Sequence, residues 1–206
     1  MNSLPASSSN ADYVWPRVIL ASTSPYRRML LGRLAFPFDR IAPDVDETKW
    51  QGKGQAPLAM AEFLALAKAE NVAESHPGAI VIGSDQTVAF DGEALNKPGS
   101  TAAAVKQLEA LSGREHTLIT AVAIVSNQKI WKHTDVTRMV MRKLSLQEIE
   151  RYVALDQPVD CAGAYKIESL GISLFDRIET ADHTAITGLP LLWVSATLRG
   201  LGVRIP

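Results

Sequence analysis

The chain has 206 residues, of which 47% are hydrophobic, and a net charge of −1 at neutral pH. That length suffices for one α/β domain with a substantial core, and the near-neutral charge argues against nucleic-acid binding. The single cysteine excludes an intramolecular disulfide and a Cys-x-x-Cys metal site. The chain has no run of about 18 apolar residues, so we predict no membrane-spanning helix. Residues 1–15 lack the basic start and apolar core of a secretory signal, so we expect a flexible tail there and one domain over 16–206.

The first predicted elements alternate between strands and helices. Residues 18–21 are a short buried strand, and Ser24 followed by Pro25 is typical of the N-cap and first residue of a helix. Next we expect a strand at 38–42, a polar loop, an Ala- and Leu-rich helix at 58–73 and a buried strand at 79–82. Because the last strand ends at "GSD" in this prediction, Asp85 would follow it at the carboxyl edge of the sheet, where open α/β folds bind ligands.

The sequence of the second half of the chain predicts antiparallel pairing of its strands. A short hairpin is expected around Asp91-Gly92, and a helix that begins at Ser100 ends at Gly113. The remaining predicted elements are strands at 116–126 and 129–144, a helix at 145–155, a strand at 171–179 and a helix at 188–202. The turn at Asn127-Gln128 makes the two long strands antiparallel, and Ser145 with Glu148 predicts a capping box. The fold class is therefore α/β, with a central mixed, partly antiparallel sheet flanked by helices.

Hydroxyl groups and arginines are concentrated where the first strand meets the first helix, in "VILASTSPYRRMLL". A helix N-terminus presents unpaired amide hydrogens and the positive end of a dipole, which together attract anions. Arg27 and Arg28 oppose that dipole unless an anion lies between them. With Ser22, Thr23 and Ser24 they favour a phosphate site, although a capped helix with solvated arginines is the alternative.

Other charged residues supply the groups that phosphate chemistry requires. Asp85 can hold a divalent cation or take a proton from water, and residues 44–47, "DVDE", are a second acidic cluster. Lys68 is expected on the polar side of its helix, and Lys97 precedes Pro98 on a turn. For each the alternative is a structural or solvated charge, and the four histidines show no ligand spacing. Together these residues are suited to metal-assisted attack of water on a phosphoanhydride.

Several motifs, in order along residues 17–200, together resemble the Maf family of nucleotide pyrophosphatases. They are "LASTSPYRRMLL", "PDVDET", "LALAKAENVA", "VIGSDQTV", "NKP", "ALSGREHTLITAVAI", "DVTRMVMRKLSLQEIERYV", "CAGAYKIESLGISLFDRIE" and "TGLPLL". The resemblance implies one α/β domain, similar to that of the inosine triphosphatases, with two lobes around a cleft. It also implies a cytoplasmic enzyme that uses Mg²⁺, Mn²⁺ or Co²⁺ to hydrolyse nucleoside triphosphates to the monophosphate and pyrophosphate. Neither nucleic acid nor a membrane is an expected partner, and a homodimer is left open.

The resemblance also implies roles for individual positions. The phosphate-binding residues would be Ser22, Ser24, Arg27 and Arg28. The catalytic residues would be Glu47, Lys68, Asp85 and Lys97, with Glu47 and Asp85 as metal ligands and Asp85 as the general base.

Three further positions bear on the substrate, and they resemble most the branch of the family that acts on 7-methyl-GTP. That branch typically has Trp, Gln and Glu where Tyr26, Gln86 and Glu168 stand; relatives with dTTP or UTP activity have Arg, Thr and Gln. A carboxylate accepts hydrogen bonds from the N1 and N2 donors of guanine, and an aromatic face attracts a methylated, cationic ring. Without the resemblance, the sequence would indicate only that Tyr26 is a core or surface aromatic residue and that Glu168 is a solvated acidic residue. The alternatives are a pyrophosphatase for dTTP, UTP or other nucleotides, and a nucleotide-sensing septation-control protein.

Overall fold

The computed structural model describes residues 13–47 and 56–206. Its strands are β1 (Val18–Ala21), β2 (Asp39–Ile41), β3 (Ile80–Phe90), β4 (Glu93–Leu95), β5 (Glu115–Ser126), β6 (Lys129–Met141) and β7 (Phe175–Glu179). Its α-helices are α1 (Pro25–Gly32), α2 (Pro57–Glu74), α3 (Thr101–Leu111), α4 (Leu146–Asp156) and α5 (Leu191–Gly200). Residues 1–12 of the predicted tail and 48–55 of the predicted loop lie outside the described residues. Within the described residues, no helix is both long enough and apolar enough to span a bilayer.

The strands form one mixed sheet, which confirms the predicted fold class. The order is β2-β1-β3-β5-β6-β7, with β4 paired to β3. The β1 strand runs parallel to β2 and β3, and every other pairing is antiparallel. The parallel part therefore lies at one edge of the sheet, and long antiparallel strands form the rest.

Local signals in the sequence predicted several features of this fold. The Ser24 side chain caps α1, and Ser145 with Glu148 forms the capping box of α4. Asp91 and Gly92 have φ values of 51° and 85°, as expected for the tight hairpin between β3 and β4. These features depend on a few adjacent residues, and all of them are confirmed.

The β3 strand is longer than predicted. We expected it to end at residue 82, but it continues to Phe90 because β5 pairs with it along its length, from Val81 to Ala89. The β1 strand accompanies only its first part, as far as Ala21 opposite Gly83. Asp85 thus lies within a strand, just beyond the end of its parallel neighbour, and not in the loop that we predicted.

The strand predicted at 171–179 is wrong in its first half. Residues Leu170–Leu174 form a 3-10 turn, and β7 begins only at Phe175. The amide of Gly171 donates to the carbonyl of Lys166 at 3.0 Å, and Arg142 Nε donates to the carbonyl of Ser173 at 2.8 Å. These bonds satisfy the turn's backbone without a neighbouring strand.

Two apolar cores cover one face of the sheet and leave an interval between them. Leu20 and Ile82 pack with α1 and α5 in the first core, whereas Val88 belongs to a second core with α3 and α4. On the opposite face, Val81 packs against α2. The polar residues Ser84 and Gln86 lie on β3 between the two cores, and Asp85 lies between them in sequence but on the α2 face; all three positions border the cleft or its wall.

The residues just before β1 contact the C-terminal end of the chain. The Tyr13 hydroxyl donates to the carbonyl of Gly202 and accepts from the amide of Arg204. The guanidinium carbon of Arg204 lies 3.8 Å from the centroid of the Tyr13 ring. Tyr13 is therefore held against the domain, although it falls within the predicted tail.

Candidate active site

A buried lysine joins two acidic residues in the cleft. Lys68 Nζ lies 2.7 Å from Asp85 Oδ1 and 2.7 Å from Glu47 Oε1. Lys68 is only 6% exposed, so the prediction that it lies on the solvated side of its helix is wrong. A buried charge is tolerated when it is paired, and here one ammonium is shared by two carboxylates.

A glycine allows this arrangement. A Cβ atom on Gly83 would lie 2.3 Å from the carbonyl oxygen of Ala65 and 2.6 Å from the amide nitrogen of Ala69, so only glycine lets α2 approach β3 this closely. That approach brings Lys68 of α2 within reach of Asp85, two residues after Gly83 on β3. Strand alternation puts both residues 83 and 85 on the α2 face.

Arg27 is the arginine that enters the cleft. Its Nε donates to the carbonyl of Gly188 at 3.0 Å. Burial lowers the pKa of Arg27, while the charges of Asp85 and Glu47 oppose that shift, so the guanidinium lies within electrostatic range of both carboxylates. Arg28 is exposed and does not line the cleft.

The serines between β1 and α1 shape the entry to the helix. Ser24 Oγ accepts the amide of Arg27 at 3.3 Å, and Ser22 Oγ accepts the amide of Ser24 at 3.1 Å. Ser24 lines the cleft, whereas Ser22 is buried behind it. The structure thus places Ser22 where it holds the turn.

Tyr26 and Glu168 lie together on another part of the cleft. Burial, together with the charge of Glu168 and a hydrogen bond to it, raises the pKa of Tyr26 to about 12. The charges of Cys161 and Asp160 act in the same direction. The phenol therefore stays protonated at neutral pH, with the carboxylate of Glu168 close to it.

Gln86 faces the turn formed by residues 185–187. Its Nε2 lies 2.9 Å from Thr120 Oγ1 and 3.0 Å from the carbonyl oxygens of both Ala185 and Ile186. The neighbouring Ser84 hydroxyl lies 2.9 Å from the carbonyl oxygen of Gly188, which also accepts from Arg27. The turn and its following glycine thus contact both Gln86 and Arg27.

The cleft has a volume of about 350 Å³ and collects most of the predicted site residues. Of these, Ser24, Tyr26, Arg27, Glu47, Lys68, Asp85, Gln86, Lys97 and Glu168 line it, and Ser22 and Arg28 do not. No role in the site was predicted for Asp160, Cys161, Tyr165 or the 186–188 segment, which also line the cleft. The first three belong to the "DCAGAY" stretch, so its position near Glu168 in the sequence was the available signal.

The two carboxylates at Lys68 suit a hard divalent cation. In the described residues no group of three or more His, Cys, Asp or Glu side chains forms a closed metal cage. Asp85 and Glu47 each use one lone-pair site for Lys68, and the remaining sites on each carboxylate can accept a cation or a proton. Mg²⁺ is commonly bound by one or two carboxylates and completed by substrate phosphates, so this donor set fits such an ion.

Comparison with known proteins adds to this geometry. A protein of Xanthomonas axonopodis pv. citri (strain 306), named 7-methyl-GTP pyrophosphatase, is 48% identical over 191 residues, which is 93% of this chain and 100% of that protein. A protein of the same name from Bdellovibrio bacteriovorus is 48% identical over 176 residues, covering 85% of this chain and 92% of its own. The structure of a HAM1 protein from Coxiella burnetii matches 61% of this chain and 73% of its own, with a TM-score of 0.43 and 16% identity. The family model for Maf-like protein matches residues 17–201, and the chain therefore belongs to the Maf family.

Proposed function

We propose that this protein is a nucleoside triphosphate pyrophosphatase that hydrolyses 7-methyl-GTP to 7-methyl-GMP and pyrophosphate, and so removes a modified nucleotide from the pool. The observation that carries the proposal is the cleft itself. It joins the Lys68–Asp85–Glu47 cluster and Arg27 to an aromatic and acidic pair, Tyr26 and Glu168. Relatives 48% identical over most of the chain carry the matching name.

The charged cluster suits attack of water on the α-phosphorus. Asp85 Oδ1 is bound to Lys68, and no described residue donates to Oδ2, which can therefore take the proton of the attacking water. As the new P–O bond forms, the bond from the α-phosphorus to the bridging oxygen breaks, and pyrophosphate leaves. Lys68 holds Asp85 in place during this step.

Cationic groups offset the charge of the triphosphate. Arg27 lies in the first turn of α1, so the positive end of the helix dipole adds to its charge. Its guanidinium can bind phosphate oxygens in a bidentate manner, and Lys97 lines the same cleft. We assign Arg28 and Ser22 a secondary role in phosphate binding, through charge and through the shape of the turn.

A divalent cation, Mg²⁺, Mn²⁺ or Co²⁺, is the proposed cofactor. Asp85 and Glu47 would hold it, and it would supply Lewis-acid stabilisation of the charge on the phosphate oxygens. We also propose a cytoplasmic location, where nucleotide pools lie; the free Cys161 is consistent with a reducing compartment.

The base would lie between Tyr26 and Glu168. The ring of 7-methylguanine carries a positive charge, which the face of Tyr26 attracts. The carboxylate of Glu168 can accept hydrogen bonds from the N1 and N2 groups of guanine. Tyrosine supplies a smaller π-face than the tryptophan usual in this branch, while its hydroxyl adds the contact to Glu168.

A nucleotide panel tests the proposal. Purified protein with Mg²⁺, Mn²⁺ or Co²⁺ is incubated with 7-methyl-GTP, GTP, dTTP and UTP, and released pyrophosphate and monophosphate are measured. We expect the highest kcat/KM for 7-methyl-GTP. Preference for UTP or dTTP would reject the base assignment and keep the reaction, whereas tight binding without any pyrophosphate release would favour a nucleotide sensor.

A further inference from the structure

The amide of Gln86 has its orientation fixed by its neighbours. Its Nε2 faces the carbonyl oxygens of Ala185 and Ile186. Because a peptide carbonyl can only accept a hydrogen bond, the nitrogen of the Gln86 amide, and not its oxygen, must face them. The opposite atom, Oε1, therefore points away from the turn.

The Oε1 atom of Gln86 is available to a ligand. Gln86 lines the cleft, and no group among the described residues donates to this oxygen. Among the described residues, the buried side-chain polar atoms that lack a hydrogen-bond partner do not include Gln86 Oε1. Because this oxygen has no donor and is not among those buried atoms, it is accessible from the cleft. Gln86 thus presents a hydrogen-bond acceptor to whatever binds there.

Thr120 completes this arrangement without touching the cleft. It pairs directly opposite Gln86 across β3 and β5, and it is 1% exposed. Its hydroxyl donates to the carbonyl of Ala185 at 2.9 Å, which leaves the lone pairs of Oγ1 to accept from Gln86 Nε2. The direction of the Thr120 hydroxyl and the direction of the Gln86 amide are therefore fixed by the same carbonyl.

We propose that Thr120 is a positioning residue that holds Gln86 with its oxygen toward the substrate, so that Gln86 and Glu168 together select a base edge with adjacent N–H donors. This proposal rests on the proposed function and names the feature of the base that the site reads. Guanine offers N1–H and the N2 amino group side by side. Hypoxanthine keeps N1–H and lacks the amino group. Uracil offers one N–H donor between two carbonyl groups, and an acceptor on the protein would repel the oxygens of those carbonyl groups.

The consequence is a preference that can be measured with unmodified nucleotides. GTP and ITP differ only in the N2 amino group, so their ratio isolates one donor without the ring charge of 7-methyl-GTP. Loss of one hydrogen bond to a buried polar partner changes a specificity constant by about 10- to 100-fold. We expect the wild type to prefer GTP over ITP within that range.

The experiment compares the wild type with Thr120→Val and Thr120→Ser. Valine keeps the shape of threonine and removes the hydroxyl, whereas serine keeps the hydroxyl. We expect Thr120→Val to reduce the GTP-to-ITP ratio of kcat/KM at least fivefold, through a higher KM for GTP with little change for ITP, and Thr120→Ser to restore the ratio. A ratio unchanged in Thr120→Val, or kcat lowered alike for GTP, ITP and UTP, would overturn the positioning role.

Two further measurements keep the proposal testable. If Thr120→Val does not fold, Gln86→Met removes the same acceptor from the cleft and must lower the GTP-to-ITP ratio; an unchanged ratio rejects the proposal. Calorimetric dissociation constants for GTP and ITP, measured without divalent cation, must show the same preference. Thus a wild type that releases no pyrophosphate refutes the proposed function, while equal binding or turnover of GTP and ITP refutes this inference.

Discussion

Asp85 is a carboxylate that the fold places under unusual constraint, because it is buried on β3 and bound to a buried lysine. A buried ion pair contributes little net stability, since desolvation of both charges offsets their attraction. The position of this pair in a cleft is therefore better explained by chemistry than by stability. Asp85 is the residue whose charge we expect to matter most for turnover.

Replacing Asp85 by asparagine should keep the fold and remove the base. Asparagine preserves the shape of the side chain but cannot take a proton from water, so kcat should fall by about 100-fold or more. Pyrophosphate release and thermal unfolding are the measurements. Asp176→Asn changes an exposed carboxylate outside the cleft and serves as the control. Activity of Asp85→Asn near that of this control would reject the general-base role.

The arginines of α1 should differ in their effect on substrate binding. Arg27→Ala removes a guanidinium from the cleft, and we expect KM to rise about 10- to 100-fold, as for a lost charge-assisted hydrogen bond. Arg28→Ala should raise KM less, because its side chain is exposed and lies outside the cleft lining. The matched control is Arg33→Ala, at the exposed C-cap of α1. Equal KM values for Arg27→Ala and Arg33→Ala would contradict phosphate binding by Arg27.

Glu168 and Tyr26 can be separated by three substitutions. Glu168→Gln exchanges an acceptor for a donor, so kcat/KM for 7-methyl-GTP and GTP should fall about 10- to 100-fold while UTP is spared. Tyr26→Trp should help 7-methyl-GTP more than GTP, because a larger π-face attracts the ring cation. Tyr26→Phe keeps the aromatic face and removes the hydroxyl that lies near Glu168. If Glu168→Gln lowers all three nucleotides alike, the residue serves catalysis or folding instead.

The contact between α2 and β3 is the element-scale feature on which the charged cluster depends. Gly83→Ala would bring a Cβ within 2.6 Å of two backbone atoms of α2, and backbone cannot move aside as a flexible side chain can. We expect a loss of about 1–3 kcal/mol in the free energy of unfolding, together with lower kcat because Lys68 moves away from Asp85. Urea denaturation and pyrophosphate release measure the two effects.

The control for this substitution is Gly200→Ala. Gly200 ends α5, and a Cβ there meets nothing within 4 Å, so stability should stay the same or rise slightly. Should Gly83→Ala be as stable and active as Gly200→Ala, the close approach of α2 would not be what positions Lys68.

Elements could be predicted from the sequence where local residues decide them. Ser24, Ser145 with Glu148, and Asp91-Gly92 act over three or four residues, so their caps and turn follow from the sequence alone. The length of β3 could not be predicted, because its hydrogen bonds as far as Ala89 come from β5, whose paired residues lie 28 to 44 positions later in the chain. The turn before β7 escaped prediction for a similar reason, since Arg142, 31 residues before Ser173, donates hydrogen bonds to its carbonyl groups.

At the scale of the whole molecule, most residues of the candidate site could be predicted, but their arrangement in space could not. Family resemblance named Asp85, Lys68 and Glu47, while periodicity put Lys68 on a solvated face. Its burial depends on Gly83, and no pattern within α2 shows that. The roles of Thr120 and residues 185–187 could not be predicted, because they come from contacts between β3, β5 and the segment before α5.

A buried histidine should make the stability of the whole domain depend on pH. His116 packs among Tyr165 and Phe175, and burial lowers its pKa from 6.5 to about 4, opposed by the charge of Glu115. Between these two values the unfolded chain binds more protons than the folded one, so stability falls as pH drops from about 6.5 toward 4. Above about 6.5 the histidine is neutral in both states and adds no pH dependence.

The measurement is urea denaturation at pH 7 and pH 5. His116→Phe removes the titrating group and keeps an aromatic ring, so it should lose less stability between these pH values than the wild type. His183→Gln replaces an exposed histidine and should behave like the wild type. An identical pH dependence for His116→Phe and the wild type would show that His116 is not responsible.

The segment 185–188 constrains how the substrate specificity of this enzyme can evolve. Its carbonyl groups hold Gln86 and Thr120 on one side and Arg27 on the other. If Gln86 and Arg27 have the roles proposed above, a mutation that shifts this short segment would alter base selection and phosphate binding at once. An evolving variant that changes its nucleotide preference through this segment would therefore pass through a less active intermediate. Substitutions at positions 26 and 168, which lie outside the segment, can change the preference without that loss.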